Sequence, residues 1–153
     1  MFIREAFIAL FGIIACNMSA QSQPLDLQAT YAVQGKRAFD EWESEFGRGA
    51  TTAGLTYKTI SRDYQSHYNS NLKKCFVLVQ TNRMLGEDSI VSVYLADAYE
   101  RRTYADYLWI WRENKGYSET APSKCELVPS LREKRDCKTR EEFDAFIANY
   151  MEE

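Results

Sequence analysis

KCFVLVQ (residues 74–80) and DSIVSVYL (residues 88–95) are the stretches of sequence that decide the fold. Both are rich in β-branched and aromatic residues, which favour β-strands. The link between them, residues 81–87, contains Asn82 and Gly86, which are typical of turns, so the two stretches are predicted to form an antiparallel hairpin. Because residues 76–79 are apolar on both faces, we expect the first strand to lie inside its sheet.

One helix is predicted before these strands in the sequence and another after them. Residues 33–46 carry apolar side chains at steps of three and four, the pattern of an amphipathic helix, and glycines follow at once. Near the end of the chain, TREE (residues 139–142) is a capping box, and the apolar residues after it fall on one helical face. With a weaker strand at residues 55–64 and a strong one at 103–111, the prediction is an α+β fold. It has an antiparallel meander of three to four strands, an N-terminal amphipathic helix and a C-terminal helix.

The N-terminus has the features of a bacterial export signal, which we assign to residues 1–20. Arg4 precedes an uncharged, mostly apolar run at residues 6–15, which is too short to span a bilayer as a helix. Glu5 cancels the charge of Arg4 and weakens the pattern. The alternative is that these residues form a buried N-terminal helix of the folded domain. A polar tether is predicted at residues 21–29 and a single globular domain at residues 30–153.

The cleavage site of this signal decides whether the protein is anchored. Residues 13–16, IIAC, resemble a lipobox, in which Cys16 is acylated and becomes the new N-terminus. A competing cut after Ala20 places Met18 where a small side chain is preferred. The lipoprotein interpretation is therefore favoured over a soluble periplasmic or secreted product.

Three cysteines remain if Cys16 is removed or acylated. Cys125 and Cys137 flank a polar segment, and closing their separation of 12 residues is expected to stabilise the fold by roughly 3 kcal/mol. An oxidising compartment favours this disulfide. Cys75 lies beside an apolar strand and is predicted to be a buried free thiol.

Tyr107, Trp109 and Trp111 project from one face of the strand predicted at residues 103–111. If this face is exposed, it is a possible aromatic binding face for a glycan or a protein. If a helix covers it, the three residues belong to the core. The core interpretation is favoured, because a sheet between two amphipathic helices needs bulky side chains.

The residue patterns indicate no catalytic residues, no metal site and no cofactor. Cys75 and the single histidine, His67, could form a nucleophile and base, yet the sequence shows neither an orienting third group nor a glycine-rich oxyanion loop. It also has neither a Cys-x-x-Cys motif nor a second histidine. The net charge of −3, with both signs interspersed, argues against nucleic-acid binding.

Residues 66–76 (SHYNSNLKKCF) and the ending at 137–152, with CKTREEF and YME, resemble small exported bacterial proteins of uncharacterised function. The resemblance covers most of the mature chain and implies no activity. It also implies a cysteine in the first helix, where this chain has Tyr31 nearby and no cysteine. That departure leaves Cys75 without a partner.

These observations together predict a non-enzymatic envelope lipoprotein with a binding or structural role. We expect its partner to be a protein or a cell-wall component, its contact with the membrane to be through the lipid anchor only, and its location to be the periplasm or outer membrane. The alternative is a soluble periplasmic inhibitor or immunity-type protein stapled by one disulfide.

Overall fold

A computed structural model describes residues 25–46, 57–111 and 121–152. Within these described residues, two helices and six strands follow one another. The elements are α1 (Leu25–Phe46), β1 (Lys58–Asn69), β2 (Lys74–Leu85), β3 (Asp88–Asp97), β4 (Thr103–Trp111), β5 (Lys124–Ser130), β6 (Glu133–Asp136) and α2 (Arg140–Met151).

The six strands form one antiparallel sheet in the order β1-β2-β3-β4-β5-β6, so each strand pairs with its neighbour in sequence. The α+β class and the meander are therefore confirmed, but the prediction of three to four strands was too low. The sequence EKRD of β6 is exposed throughout and has no apolar alternation. β1 is also largely polar, and it lies at residues 58–69 rather than 55–64.

β2 is an interior strand whose two faces support two separate hydrophobic layers. Phe76 belongs to the larger layer, whereas Val77 and Val79 belong to the smaller one on the opposite face. All three side chains are buried, as the continuous apolar run predicted.

α2 packs on the larger layer and closes the main core. Phe143, Phe146, Ile147 and Tyr150 form its buried face. Phe76 makes an edge-to-face contact with Tyr150 at a centroid distance of 5.1 Å. The Thr139 hydroxyl accepts from the Glu142 amide, which confirms the predicted N-cap. The Glu142 carboxylate accepts from the amide of Lys138, one residue before the cap.

α1 packs on the opposite face of the sheet, against β1 and β2. Phe39 stacks on Tyr64 with centroids 4.7 Å apart, and Tyr31 stacks on Tyr68 at 4.0 Å. Gly35 permits this close approach, because a Cβ at that position would overlap the side chain of Ser66. The helix begins at Leu25, so it includes most of the segment predicted as a tether at residues 21–29.

The predicted disulfide between Cys125 and Cys137 is confirmed, with the two Cα atoms 5.0 Å apart. The backbone amide of Cys137 also donates to the carbonyl of Cys125 at 2.9 Å. The bridge joins β5 to the segment that leads into the Thr139 cap, and it thereby fixes the start of α2 against the sheet.

Candidate functional site

A cleft of about 510 Å³ lies between α1 and the sheet. It exists because α1 packs on β1 and β2, and β3 and β4 extend the same face of the sheet beyond the helix. Its volume falls in the range of ordinary small-ligand sites. The lining residues are Ala38, Glu41 and Trp42 of α1; Val77, Val79, Thr81 and Arg83 of β2; and Ser92, Tyr94, Ala96, Asp97, Arg101, Thr103 and Asp106 from β3 to β4.

The floor of the cleft changes from apolar to polar along β2. Alternate residues of a strand share a face, so Val77, Val79, Thr81 and Arg83 follow one another along the floor. Across the β2–β3 pairing, Val79 faces Tyr94 and Thr81 faces Ser92. Two residues with hydroxyl side chains therefore lie opposite each other in the middle of the floor, and Arg83 lies at one end.

Thr81 is the most unusual residue of this floor. Its side chain is 1% exposed, and its hydroxyl has no hydrogen-bond partner among the residues that the structure describes. A buried polar group without a partner destabilises a fold by about 1–3 kcal/mol. Unsatisfied groups of this kind call for an explanation, and a ligand that supplies the missing partner is one.

An aromatic pair forms the side of the cleft next to α1. Trp42 stacks on Tyr94 with centroids 5.4 Å apart and an interplanar angle of 23°. Burial raises the pKa of Tyr94 to about 12. Tyr94 therefore keeps its proton at neutral pH and can donate a hydrogen bond.

The carboxylates that line the cleft are all paired with cations of the protein. Glu41 accepts from Arg37 at 2.9 Å and also contacts Arg101. Hydrogen bonding by Arg37, with a further contribution from Arg101, lowers the pKa of Glu41. Two more pairs complete the set, Asp97 with Lys74 and Asp106 with Lys124.

The aromatic face predicted on β4 lies on the other side of the sheet from this cleft. Tyr107 is 1% exposed and Trp109 is 5% exposed, both within the core under α2, and the partly buried Trp111 packs against the same core. The opposite face of β4, which carries Asp106, lines the cleft.

The residue that the sequence analysis missed is Thr81. Its signal in the sequence is that a polar residue continues the apolar face of β2 after Val77 and Val79.

Cys75 and His67 do not form a nucleophile and base. Cys75 pairs in register with Tyr68, and His67 pairs with Phe76, so the two side chains project from opposite faces of the sheet. Cys75 is a buried free thiol, and its sulfur lies 3.8 Å from the carbonyl oxygen of Tyr31. Burial, with a smaller effect of Asp97, raises the pKa of the Cys75 thiol to about 11.

The predicted lipidation site, Cys16, and the rest of the signal at residues 1–20 lie outside the described residues. Neither described helix is both long and apolar enough to cross a membrane. Within residues 25–46, 57–111 and 121–152, no group of three or more His, Cys, Asp or Glu side chains is placed to hold a metal ion.

Comparison of the chain with protein-family models, with curated proteins and with solved structures finds no match.

Proposed function

We propose that this protein is an exported, non-enzymatic binding protein of the cell envelope, anchored through Cys16, that holds a cell-wall component in the cleft between α1 and the sheet. One observation carries the choice of site. Thr81 presents a buried hydroxyl without a partner on the floor of a cleft large enough for a small ligand. A bound ligand group would complete its hydrogen bonding.

The lining indicates the kind of ligand that fits. The Trp42–Tyr94 pair and Val79 provide an apolar surface. Thr81, Ser92 and the protonated Tyr94 provide hydroxyl groups beside it. A volume of about 510 Å³ suits a fragment of one or a few residues or sugars better than a polymer chain.

The charges of the cleft favour binding over catalysis. Glu41, Asp97 and Asp106 each contact a cation of the protein. Hydrogen bonding by these cations lowers the pKa of Glu41 and of Asp97, whereas a general acid or base needs a pKa close to the working pH.

The binding proposal is tested with soluble glycopeptide fragments released from bacterial cell wall by a muramidase. Calorimetry and tryptophan fluorescence would follow their binding to the exported protein. We expect T81V, which keeps the shape of Thr81 but removes its hydroxyl, to weaken binding about tenfold, the effect of losing one good hydrogen bond. T81S keeps the hydroxyl and is the matched control. Equal affinities for T81V and the unaltered protein would contradict the proposed site.

The anchor is tested separately by intact-mass measurement of the membrane fraction. We expect an acylated species that begins at Cys16, and we expect C16S to abolish it. A mature species that begins at Gln21 without acyl mass would contradict the anchor. Recovery of a stoichiometric protein partner with such a soluble form would favour the alternative, an inhibitor or immunity-type protein.

A further inference from the structure

Arg83 differs from the other charged residues that line the cleft. Glu41, Asp97, Asp106 and Arg101 all belong to ion pairs. The ion pairs among the described residues do not include Arg83, although it lines the same cleft. The paired charges cancel, so Arg83 gives its end of the cleft a positive potential.

The surroundings of Arg83 disfavour its positive charge. The residue is half-buried, and it faces Ile90 across the β2–β3 pairing. Burial lowers the pKa of Arg83, and the nearby charge of Arg62 lowers it further. Arg62 forms its own ion pair with Glu43, which leaves the charge of Arg83 without a counter-ion among the described residues.

Thr81 lies two residues before Arg83 on the same face of β2. Side chains at i and i+2 of a strand are about 7 Å apart, a spacing that one small oxyanion and its attached atoms can bridge. The Thr81 hydroxyl has no partner of its own and can donate to such an oxygen. The guanidinium offers a planar fork of N–H groups that matches a carboxylate or phosphate.

We propose that the end of the cleft formed by Arg83 and Thr81 is an oxyanion subsite, which binds a carboxylate or phosphate group of the ligand. The guanidinium of Arg83 donates two hydrogen bonds to the oxyanion, and the Thr81 hydroxyl donates a third. This subsite rests on the proposed function, since it gives the cell-wall ligand its orientation: the anionic group meets Arg83 and the apolar part lies along Trp42.

The subsite is tested with sodium acetate and sodium phosphate as probes, titrated into the ¹⁵N-labelled exported protein at constant ionic strength. The Arg83 Nε–H resonance is identified by its loss in R83Q. We expect it to shift saturably with at least one probe, and the probe that binds more tightly distinguishes a carboxylate site from a phosphate site. A resonance that does not move with either probe would overturn the subsite.

Two further variants separate this subsite from a general charge effect. Chemical shifts of cleft amides report anion binding in every variant. We expect R83Q to weaken anion binding about tenfold and R83K to lose part of that affinity, because lysine keeps the charge without the fork. R132Q removes the same charge from an exposed residue outside the cleft and is expected to bind as the unaltered protein does. Equal weakening by R83Q and R132Q would overturn the subsite.

The two proposals fail in different ways. If cell-wall fragments bind the unaltered protein and R83Q equally well, the subsite is wrong and the proposed function stands. If acetate or phosphate binds at Arg83 but no fragment binds in the cleft, the anion subsite stands and the proposed function is wrong.

Discussion

The ammonium group of Lys74 lies 2.8 Å from the carboxylate of Asp97, whose side chain is only 3% exposed. Asp97 also accepts the backbone amides of Tyr99 and Glu100, at 2.8 and 3.0 Å. Three donors therefore hold one buried carboxylate at the turn from β3 to β4, beside the cleft.

We expect D97A to lower the free energy of unfolding by about 3 kcal/mol, because it leaves two backbone amides without their acceptor and leaves Lys74 paired with Glu100 alone. D97N keeps an acceptor oxygen for the amides and is expected to lose less. Urea denaturation at pH 7 measures both variants. Equal losses for D97A and D97N would show that the turn hydrogen bonds contribute little.

The same carboxylate predicts how stability depends on pH. Burial alone would raise the pKa of Asp97, but Lys74 and the two amides lower it overall. A carboxyl with a lowered pKa in the folded state stabilises the protein above its unfolded pKa of about 4, and that stability is lost as the pH falls through the folded value. Urea midpoints measured from pH 6 down to pH 2 should therefore fall less steeply for D97N than for the unaltered protein.

We expect T81V to raise the free energy of unfolding of the ligand-free protein by about 1 kcal/mol, because it removes a buried hydroxyl without a partner and keeps its shape. We expect the same variant to weaken ligand binding in the cleft. Thermal denaturation of T81V beside T81S measures the effect. A loss of stability in T81V alone would mean that the hydroxyl is satisfied in solution.

Loss of a disulfide cysteine and loss of the free cysteine are expected to lower stability by different amounts. We expect C137S to lower the free energy of unfolding by about 2–4 kcal/mol and to loosen the start of α2, because it opens the bridge to Cys125. C75A is expected to lower it by only about 1 kcal/mol through lost packing. Peptide mapping without reductant gives a direct check, and a linked peptide that contains Cys75 would contradict the assignment.

Cys75 should also react slowly with iodoacetamide. Its thiol is buried, and its pKa is raised to about 11, so very little thiolate is present at pH 8. Labelling followed by mass spectrometry should become fast only in denaturant. Rapid labelling of the native protein would revive a nucleophilic role for this residue.

We expect G35A to lower the free energy of unfolding by about 1–3 kcal/mol, because the added methyl group overlaps the side chain of Ser66. The double variant G35A/S66G removes the overlapping atoms and should recover part of the loss relative to S66G alone. A double-mutant cycle measures this coupling. Additive effects would mean that a methyl group at residue 35 does not overlap Ser66.

The helices and strands that could be predicted from the sequence are those with a recognisable pattern of apolar or capping side chains. Residues 76–79 are apolar on both faces because β2 lies between two hydrophobic layers, and the capping box at Thr139 starts α2 by a local hydrogen bond. β6 has no such pattern, because its side chains are charged and exposed, and it is held on β5 by backbone pairing and by an ion pair between Lys134 and Glu126. β1 was misplaced for a related reason, since it is largely polar and only Asn69 among its residues is fully buried.

The cleft could not be predicted because it depends on relations between distant residues. Thr81 lies opposite Ser92 only through the register of β2 and β3, and Trp42 reaches Tyr94 only through the packing of α1 on the sheet. Neither relation leaves a periodic trace in the sequence. The cluster of Tyr107, Trp109 and Trp111 was conspicuous by composition, yet it fills the core.

The strand order has a consequence for how the protein folds. Because each strand pairs with the next one along the chain, the sheet grows by closing one short hairpin after another, and contacts that are local in sequence form quickly. α1 precedes the sheet in the chain but packs mainly on β1 and β2, so it gains most of its docking surface after that hairpin has closed. We expect the helix to join late, and the cleft beneath it to be the last part of the described molecule to take shape.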